Sequence, residues 1–201
     1  MDYFNEDERQ FQRRFSAFRD RISAPIVTFL LARGVSPNQA TVLGVLFLLL
    51  SSLFGSQYFW LVAIFLLLYC LMDALDGSLA RASGKASEAG ALLDIIADQL
   101  GVVIVPAAAV YHLASNGSVA VLFSSLYVSF VALIVFSNQK GIAVPKFIRT
   151  KYMLYAVYVA ALFFAFDIVT FFMAAFVPYY AVMFIVVVRR AYTGMIGPEN
   201  T

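Results

Sequence analysis

The sequence predicts an all-α integral membrane protein, with six transmembrane helices preceded by an amphipathic juxtamembrane helix. Three observations carry this reading. Of 201 residues, 62% are hydrophobic and only 13% are charged, whereas a soluble domain is about half apolar and a quarter charged. Most of these side chains therefore face lipid. The apolar residues also gather into runs near the roughly 20 residues that a spanning helix needs. Finally, all 14 lysines and arginines fall at the same ends of those runs.

The N-terminal segment comes first. Phe4, Phe11, Phe15, Phe18, Ile22, Ile26 and Phe29 recur at spacings of three, four or seven. Glu6, Asp7, Glu8, Arg9, Arg13, Arg14, Arg19 and Asp20 fill the other faces. That pattern is an amphipathic helix with an apolar stripe. Arginines on its polar face suit the cytoplasmic membrane surface; the alternative is a soluble helix packed on a partner protein. Pro25 is expected to kink or interrupt it.

Six spans follow, over residues 38–55, 58–76, 91–112, 118–137, 151–167 and 169–188. Breaks fall at Gly55-Ser56-Gln57, from Ala82 to Ala89, at Ser115-Asn116-Gly117-Ser118, from Asn138 to Thr150 and at Asp167. Short loops predict one bundle. The expected organisation is a cytoplasmic N-terminal helix over 1–36, a catalytic bundle over 37–190 and a cytoplasmic tail over 191–201. There is no clear internal repeat and no low-complexity tract. A polar N-terminus of this length does not fit a cleavable signal peptide.

Charge sets the orientation. Arg9, Arg13, Arg14, Arg19, Arg21 and Arg33 precede the first span. Arg81 and Lys85 lie between the second and third, and Lys140, Lys146, Arg149 and Lys151 between the fourth and fifth. Arg189 and Arg190 follow the sixth. The opposite loops carry no basic residue. The positive-inside rule puts both termini on the cytoplasmic side.

The stretch most charged with chemistry runs from Asp73 to Asp98. It holds Asp73, Asp76, Gly77, Ala80 and Arg81, then Gly90, Asp94 and Asp98. Carboxylates beside a bilayer core are expensive, so they mark a functional site by default. Asp73 and Asp76 are spaced i, i+3, and Asp94 and Asp98 are spaced i, i+4. On helices each pair shares one face, with Cβ atoms about 5–6 Å apart. Two such helices face to face offer four carboxylates to one or two hard divalent cations. Without metal, repulsion would raise some of their pKa values. Solvated helix caps are the plain alternative, but caps account for one acid per helix and not for two in-phase pairs beside Gly and Arg. Gly77, Ala80, Gly90 and Ala97 let backbones or a flat ligand come close.

This pattern, Asp-x2-Asp-Gly-x2-Ala-Arg-x8-Gly-x3-Asp-x3-Asp, resembles the signature of the CDP-alcohol phosphotransferases, with all eight fixed positions filled over 26 residues. Val35-Ser36-Pro37-Asn38-Gln39-Ala40-Thr41 is similar to the Pro-Asn-x-x-Thr segment that this family carries before its first membrane helix. The motif covers about an eighth of the chain, and the hydropathy pattern extends the likeness over most of the rest.

The resemblance implies an enzyme that moves a phosphatidyl-type group from a CDP-linked lipid to a polar alcohol and releases CMP. It implies Mg²⁺ or Mn²⁺, as two ions, held by Asp73, Asp76, Asp94 and Asp98, with Asp98 also the general base. It puts Asn38, Thr41, Asp73, Gly77, Ala80, Arg81 and Gly90 on the CDP side, with the Arg81 fork on the diphosphate; the plain alternative for Arg81 is a positive-inside anchor. It further implies a homodimer in a prokaryotic inner or plasma membrane, with no nucleic-acid partner. The donor is expected to be CDP-diacylglycerol or an ether-lipid analogue. A soluble CDP-alcohol donor with a lipid acceptor is the alternative.

The acceptor stays open. The stretch from Asn138 to Lys151 lacks the Arg-Glu-Lys-rich signature of bacterial phosphatidylglycerophosphate synthases and does not clearly match the inositol-phosphate type. Lys146, Arg149 and Lys151 could bind an anionic acceptor, or could only set topology. Two other classes also pair acids with a membrane: an aspartate-rich membrane prenyltransferase and a non-enzymatic transporter with an acidic ion site. The single compact acid cluster argues against the first.

Other residues invite less. Cys70 is the only cysteine, so no disulfide forms within the chain, and packing is its expected role. His112, the only histidine, is expected at the outer interface, and Tyr58, Trp60 and Tyr111 suit an outer aromatic belt. Asp167 is expected to be a solvated loop acid.

Overall fold

A computed structural model describes the backbone of residues 6–196 and the side chains of residues 19–195. Phe4 lies outside the described residues, as do the side chains of Phe11, Phe15 and Phe18. The described chain is all-helical, with seven α-helices and no strand. They are α1 (Glu6–Ala32), α2 (Pro37–Ser51), α3 (Phe59–Ala82), α4 (Glu88–Leu113), α5 (Gly117–Gln139), α6 (Lys151–Phe164) and α7 (Val169–Ile196). A 3₁₀ turn, Ser56–Tyr58, leads into α3.

Among the described residues, four segments are long and apolar enough to cross a membrane: Ser56–Ala82, Glu88–Leu113, Gly117–Gln139 and Val169–Met195. The first and fifth expected spans come out shorter. Helix α2 has 15 residues and α6 has 14. At 1.5 Å per residue each is roughly 20 Å long, below the ~30 Å hydrocarbon core. Arg19–Ala32 and Pro37–Ser51 together make a further apolar stretch, bent by 105°. Gly34 makes the bend: its φ of +73° is left-handed, and the Gly34 and Val35 N–H groups close on Leu31 and Leu30 carbonyls. Ser36 then caps α2. Its hydroxyl accepts from the Gln39 N–H while the Gln39 side chain accepts from the Ser36 N–H, and Pro37 stands at the start of the helix.

The chain forms two compact units, one over Glu6–Ile104 and one beginning at Val105. In the first, α2 packs along α3 and α1 docks on α3. Gly44 permits the α2–α3 approach, since a Cβ there would stand 3.1 Å from Met72 Cβ. Val27, Ala40, Leu75 and Leu79 form a buried cluster, with Leu30, Leu31 and Met72 against it. Helix α1 therefore has two apolar faces. Val27 is buried, whereas Ile22, Ile26 and Phe29, the expected stripe, are exposed. The helix also continues through Pro25 without interruption.

In the second unit, α5 packs along α7, and α6 against α7. Tyr180 is fully buried and its ring meets Tyr127 edge-on at 5.0 Å, with Phe123 at 6.0 Å and Phe130 at 5.8 Å. The irregular segment before α6 is tied to α7. The Tyr180 hydroxyl donates to the Ile148 carbonyl at 2.8 Å, and the Ile148 N–H donates to the Tyr179 hydroxyl at 2.8 Å.

Asp167 departs from the sequence expectation. It is a capping residue and not merely a solvated loop acid. Its Oδ1 accepts from the Ser115 hydroxyl at 2.6 Å and from the Thr170 N–H at 3.1 Å, joining two turns. Burial pushes its carboxyl up, but the hydrogen bonds from Ser115, Thr170 and Val169 outweigh that and hold it below its ordinary value. A depressed folded-state pKa contributes stability above the unfolded value of 3.8 and loses it as pH falls through the folded value. Asp167→Ala is expected to lose about 1 kcal/mol at neutral pH, and the gap to the parent should close in acid. Thermal unfolding in detergent across that range checks both.

Candidate active site

Helices α3 and α4 carry the four acids, and periodicity aims them. One carboxylate oxygen from each of Asp73, Asp94 and Asp98 lies within 4.8 Å of the others. All three side chains are half-buried. A hydrogen bond from the Tyr69 hydroxyl to the Ala97 carbonyl, 3.3 Å long and buried, ties α3 to α4 beside this cluster.

Asp76 lies beside the three, near enough to Asp94 and Asp73 to feel their charge. It is buried, and both oxygens are engaged. Oδ2 accepts from the Thr41 hydroxyl at 2.7 Å, and Oδ1 accepts from the Gly77 N–H at 2.6 Å. The Pro-Asn-x-x-Thr segment thus does structural work as well: its last residue anchors α2 to the acid on α3.

A cavity of about 190 Å³ opens between these elements. Asn38 and Thr41 line it from α2; Asp76, Gly77, Ala80 and Arg81 from α3; Gly90 and Asp94 from α4. Six of the seven residues expected on the CDP side therefore line one cavity, while Asp73 belongs to the carboxylate cluster. Asp94 belongs to both. Glycine keeps the cavity open: a Cβ on Gly90 would meet Ser87 Oγ at 3.2 Å and Asn38 Oδ1 at 3.5 Å. Lys85 and Ser87 also line it. Sequence reasoning missed Ser87, whose hydroxyl accepts from the Gly90 N–H at 3.1 Å in the pattern of a helix cap.

Arg81 is more tightly held than expected. Its Nε donates to Asp20 Oδ2 at 2.9 Å and its Nη2 to Asp20 Oδ1 at 2.6 Å, a bidentate pair. The Ser78 hydroxyl donates to the same Asp20 oxygen at 2.6 Å. Nothing in the local spacing announced this partner, which lies 61 residues upstream. Lys146, Arg149 and Lys151 lie in the other unit. There Lys151 is buried with Nζ 4.6 Å from the Tyr152 ring centre, and Arg149 stands 5.6 Å from that of Phe147.

The donor set is all oxygen. Three carboxylates at this separation fit a hard divalent cation such as Mg²⁺ or Mn²⁺. The class is thus a membrane-embedded helical protein with an acidic metal-type site beside a small-residue cavity.

The family model for CDP-alcohol phosphatidyltransferase matches residues 34–189, and the chain belongs to that family. It is 40% identical over 89 residues to an archaetidylinositol phosphate synthase of Pyrococcus horikoshii, covering 42% of this chain and 47% of that protein. Against a phosphatidylinositol phosphate synthase of Streptomyces avermitilis it is 36% identical over 87 residues, covering 42% of this chain and 35% of that protein. The match thus spans less than half the length of either relative.

Thr41→Val is expected to leave a buried carboxylate short of one donor, at a cost of about 1–3 kcal/mol, with Thr41→Ser close to the parent. Equilibrium or thermal unfolding of the three proteins in detergent measures it.

Proposed function

We propose that this protein transfers a phosphatidyl-type group from a CDP-linked lipid to a polar alcohol, with release of CMP. The observation that carries the reading is the convergence of Asp73, Asp94 and Asp98 beside a cavity lined by Asn38, Gly77, Ala80, Arg81 and Gly90. Family membership supports the same reaction class.

Each residue then has a task. Gly77, Ala80 and Gly90 leave room for the cytidine, and Arg81 faces the diphosphate. Asp73, Asp94 and Asp98, together with Asp76, would hold the metal. Two Mg²⁺ or Mn²⁺ ions bound there would neutralise charge on the diphosphate and the departing CMP. Asp98 takes the acceptor hydroxyl's proton. The acceptor oxygen forms a bond to the lipid-side phosphorus, and that phosphorus loses its bond to the oxygen that leaves with CMP. The reading includes six membrane crossings, α2 and α6 being short ones, with the site and both termini on the cytoplasmic side and a homodimeric assembly.

The proposed acceptor is a phosphorylated polyol. Two named relatives make inositol phosphate lipids, and Lys146, Arg149 and Lys151 supply cations suited to an anionic headgroup. Arg149→Ala is expected to raise the apparent KM for that acceptor and leave the KM for the CDP-lipid unchanged. Equal turnover of an uncharged polyol and inositol phosphate by the parent protein would remove the anionic-acceptor reading.

The deciding assay is purified full-length protein in lipid nanodiscs with CDP-diacylglycerol, Mn²⁺ or Mg²⁺ and a panel of acceptors, scored for CMP and new lipid. EDTA should abolish turnover. Asp98→Asn should reduce it roughly 10²–10⁴-fold while CDP-lipid binding persists. CMP release that survives chelation would reject the proposal.

A further inference from the structure

Two cations converge above Gly77. A Cβ on that residue would lie 3.3 Å from Arg81 Nη1 and 3.5 Å from Arg19 Nη2. Arg81 uses its other two nitrogens on Asp20, which leaves Nη1 turned toward Gly77. Arg19 reaches the same point from α1, a helix outside the matched family region.

Arg19 is also under-satisfied. Its Nε is buried and has no hydrogen-bond partner. Asp20 hydrogen-bonds to Arg81 and Ser78, not to Arg19. An unpaired buried donor is costly. Two guanidinium groups meet at one glycine with a single carboxylate, Asp20, acting on both, so a doubly acidic ligand meets net positive charge there. Gly77 and Arg81 both line the cavity, and Arg19 meets them at Gly77. The planar fork of arginine matches phosphate oxygens.

We infer that Arg19 of the juxtamembrane helix is a phosphate-binding residue of the donor site, paired with Arg81 Nη1 across Gly77 to hold the diphosphate of the CDP-linked substrate. This rests on the proposed function, since it assigns the ligand of the same cavity. Asp20 fixes the far edge of Arg81 and so leaves one guanidinium edge for the ligand. The same guanidinium chemistry could instead serve a membrane headgroup phosphate, and the choice of bilayer separates the two sources.

The test measures binding of soluble CDP, with Mg²⁺ present, to the full-length protein in nanodiscs of neutral phosphatidylcholine. Arg19→Ala should weaken CDP binding roughly 10–100-fold, the loss expected for a charged hydrogen bond. Arg19→Lys should recover part of it, and CMP, with one phosphate fewer, should lose less than CDP. The thermal midpoint of each variant is recorded alongside, so that a folding defect, which would weaken CDP and CMP alike, counts against the inference. Unchanged CDP affinity in Arg19→Ala overturns it, as does an effect confined to nanodiscs of anionic lipid, which would make Arg19 a headgroup contact. A parent protein that binds no CDP rejects the proposed function itself, and this inference with it.

Discussion

Everything around the site depends on gathering carboxylates where water is scarce. Asp76 shows how the fold manages one of them. Its two oxygens are taken by Thr41 and by the Gly77 N–H, which hold it in place although Asp73 and Asp94 stand close enough to repel it. The Thr41 bond also fixes α2 against α3 at the level of the cavity. With Asp76 secured, Asp73, Asp94 and Asp98 are left to converge from two helices, and their mutual repulsion is the property that a cation relieves. Packing supplies the rigidity for this. Gly44 draws α2 onto α3, and Tyr69 ties α3 to α4 within one residue of Asp98.

The sequence was legible where the chemistry was local. The i, i+3 and i, i+4 spacings placed the acids on shared helix faces, and three of the four meet. The small residues of the motif line the cavity, together with Asn38 and Thr41 from a segment about 35 residues away. What stayed hidden was pairing across long separations. Asp20 reads as one charge on an amphipathic surface, yet it holds Arg81 bidentately. The capping box at Ser36 and Gln39 had a readable signal, Ser-x-x-Gln before an apolar run, but hydropathy drew attention past it.

Hydropathy also blurred lengths. Residues 38–55 and 151–167 read as full spans because their apolar character continues beyond the helices. The helices stop earlier for local reasons: α2 ends at Ser51, and α6 ends where Ala165 takes a left-handed φ of +50°. Likewise, a periodic stripe on α1 predicted one apolar face. The helix needs two, because Val27 packs on the α3 cluster while Ile22, Ile26 and Phe29 remain exposed and able to meet lipid. A single periodicity cannot distinguish a face that meets protein from one that meets membrane, since both are apolar.

The boundary of the family match sharpens the role of α1. The match begins at Gly34, the residue whose left-handed backbone ends α1 and turns the chain toward α2. All eight signature residues lie beyond that turn. Yet the geometry of one of them, Arg81, is set from before it, by a carboxylate on α1. A guanidinium on a helix end has several rotatable bonds, and a bidentate partner removes most of that freedom. The orientation of Arg81 therefore depends on how α1 is seated, and α1 is seated by Val27, Leu30 and Leu31 on the cluster that includes Leu75 and Leu79 of α3.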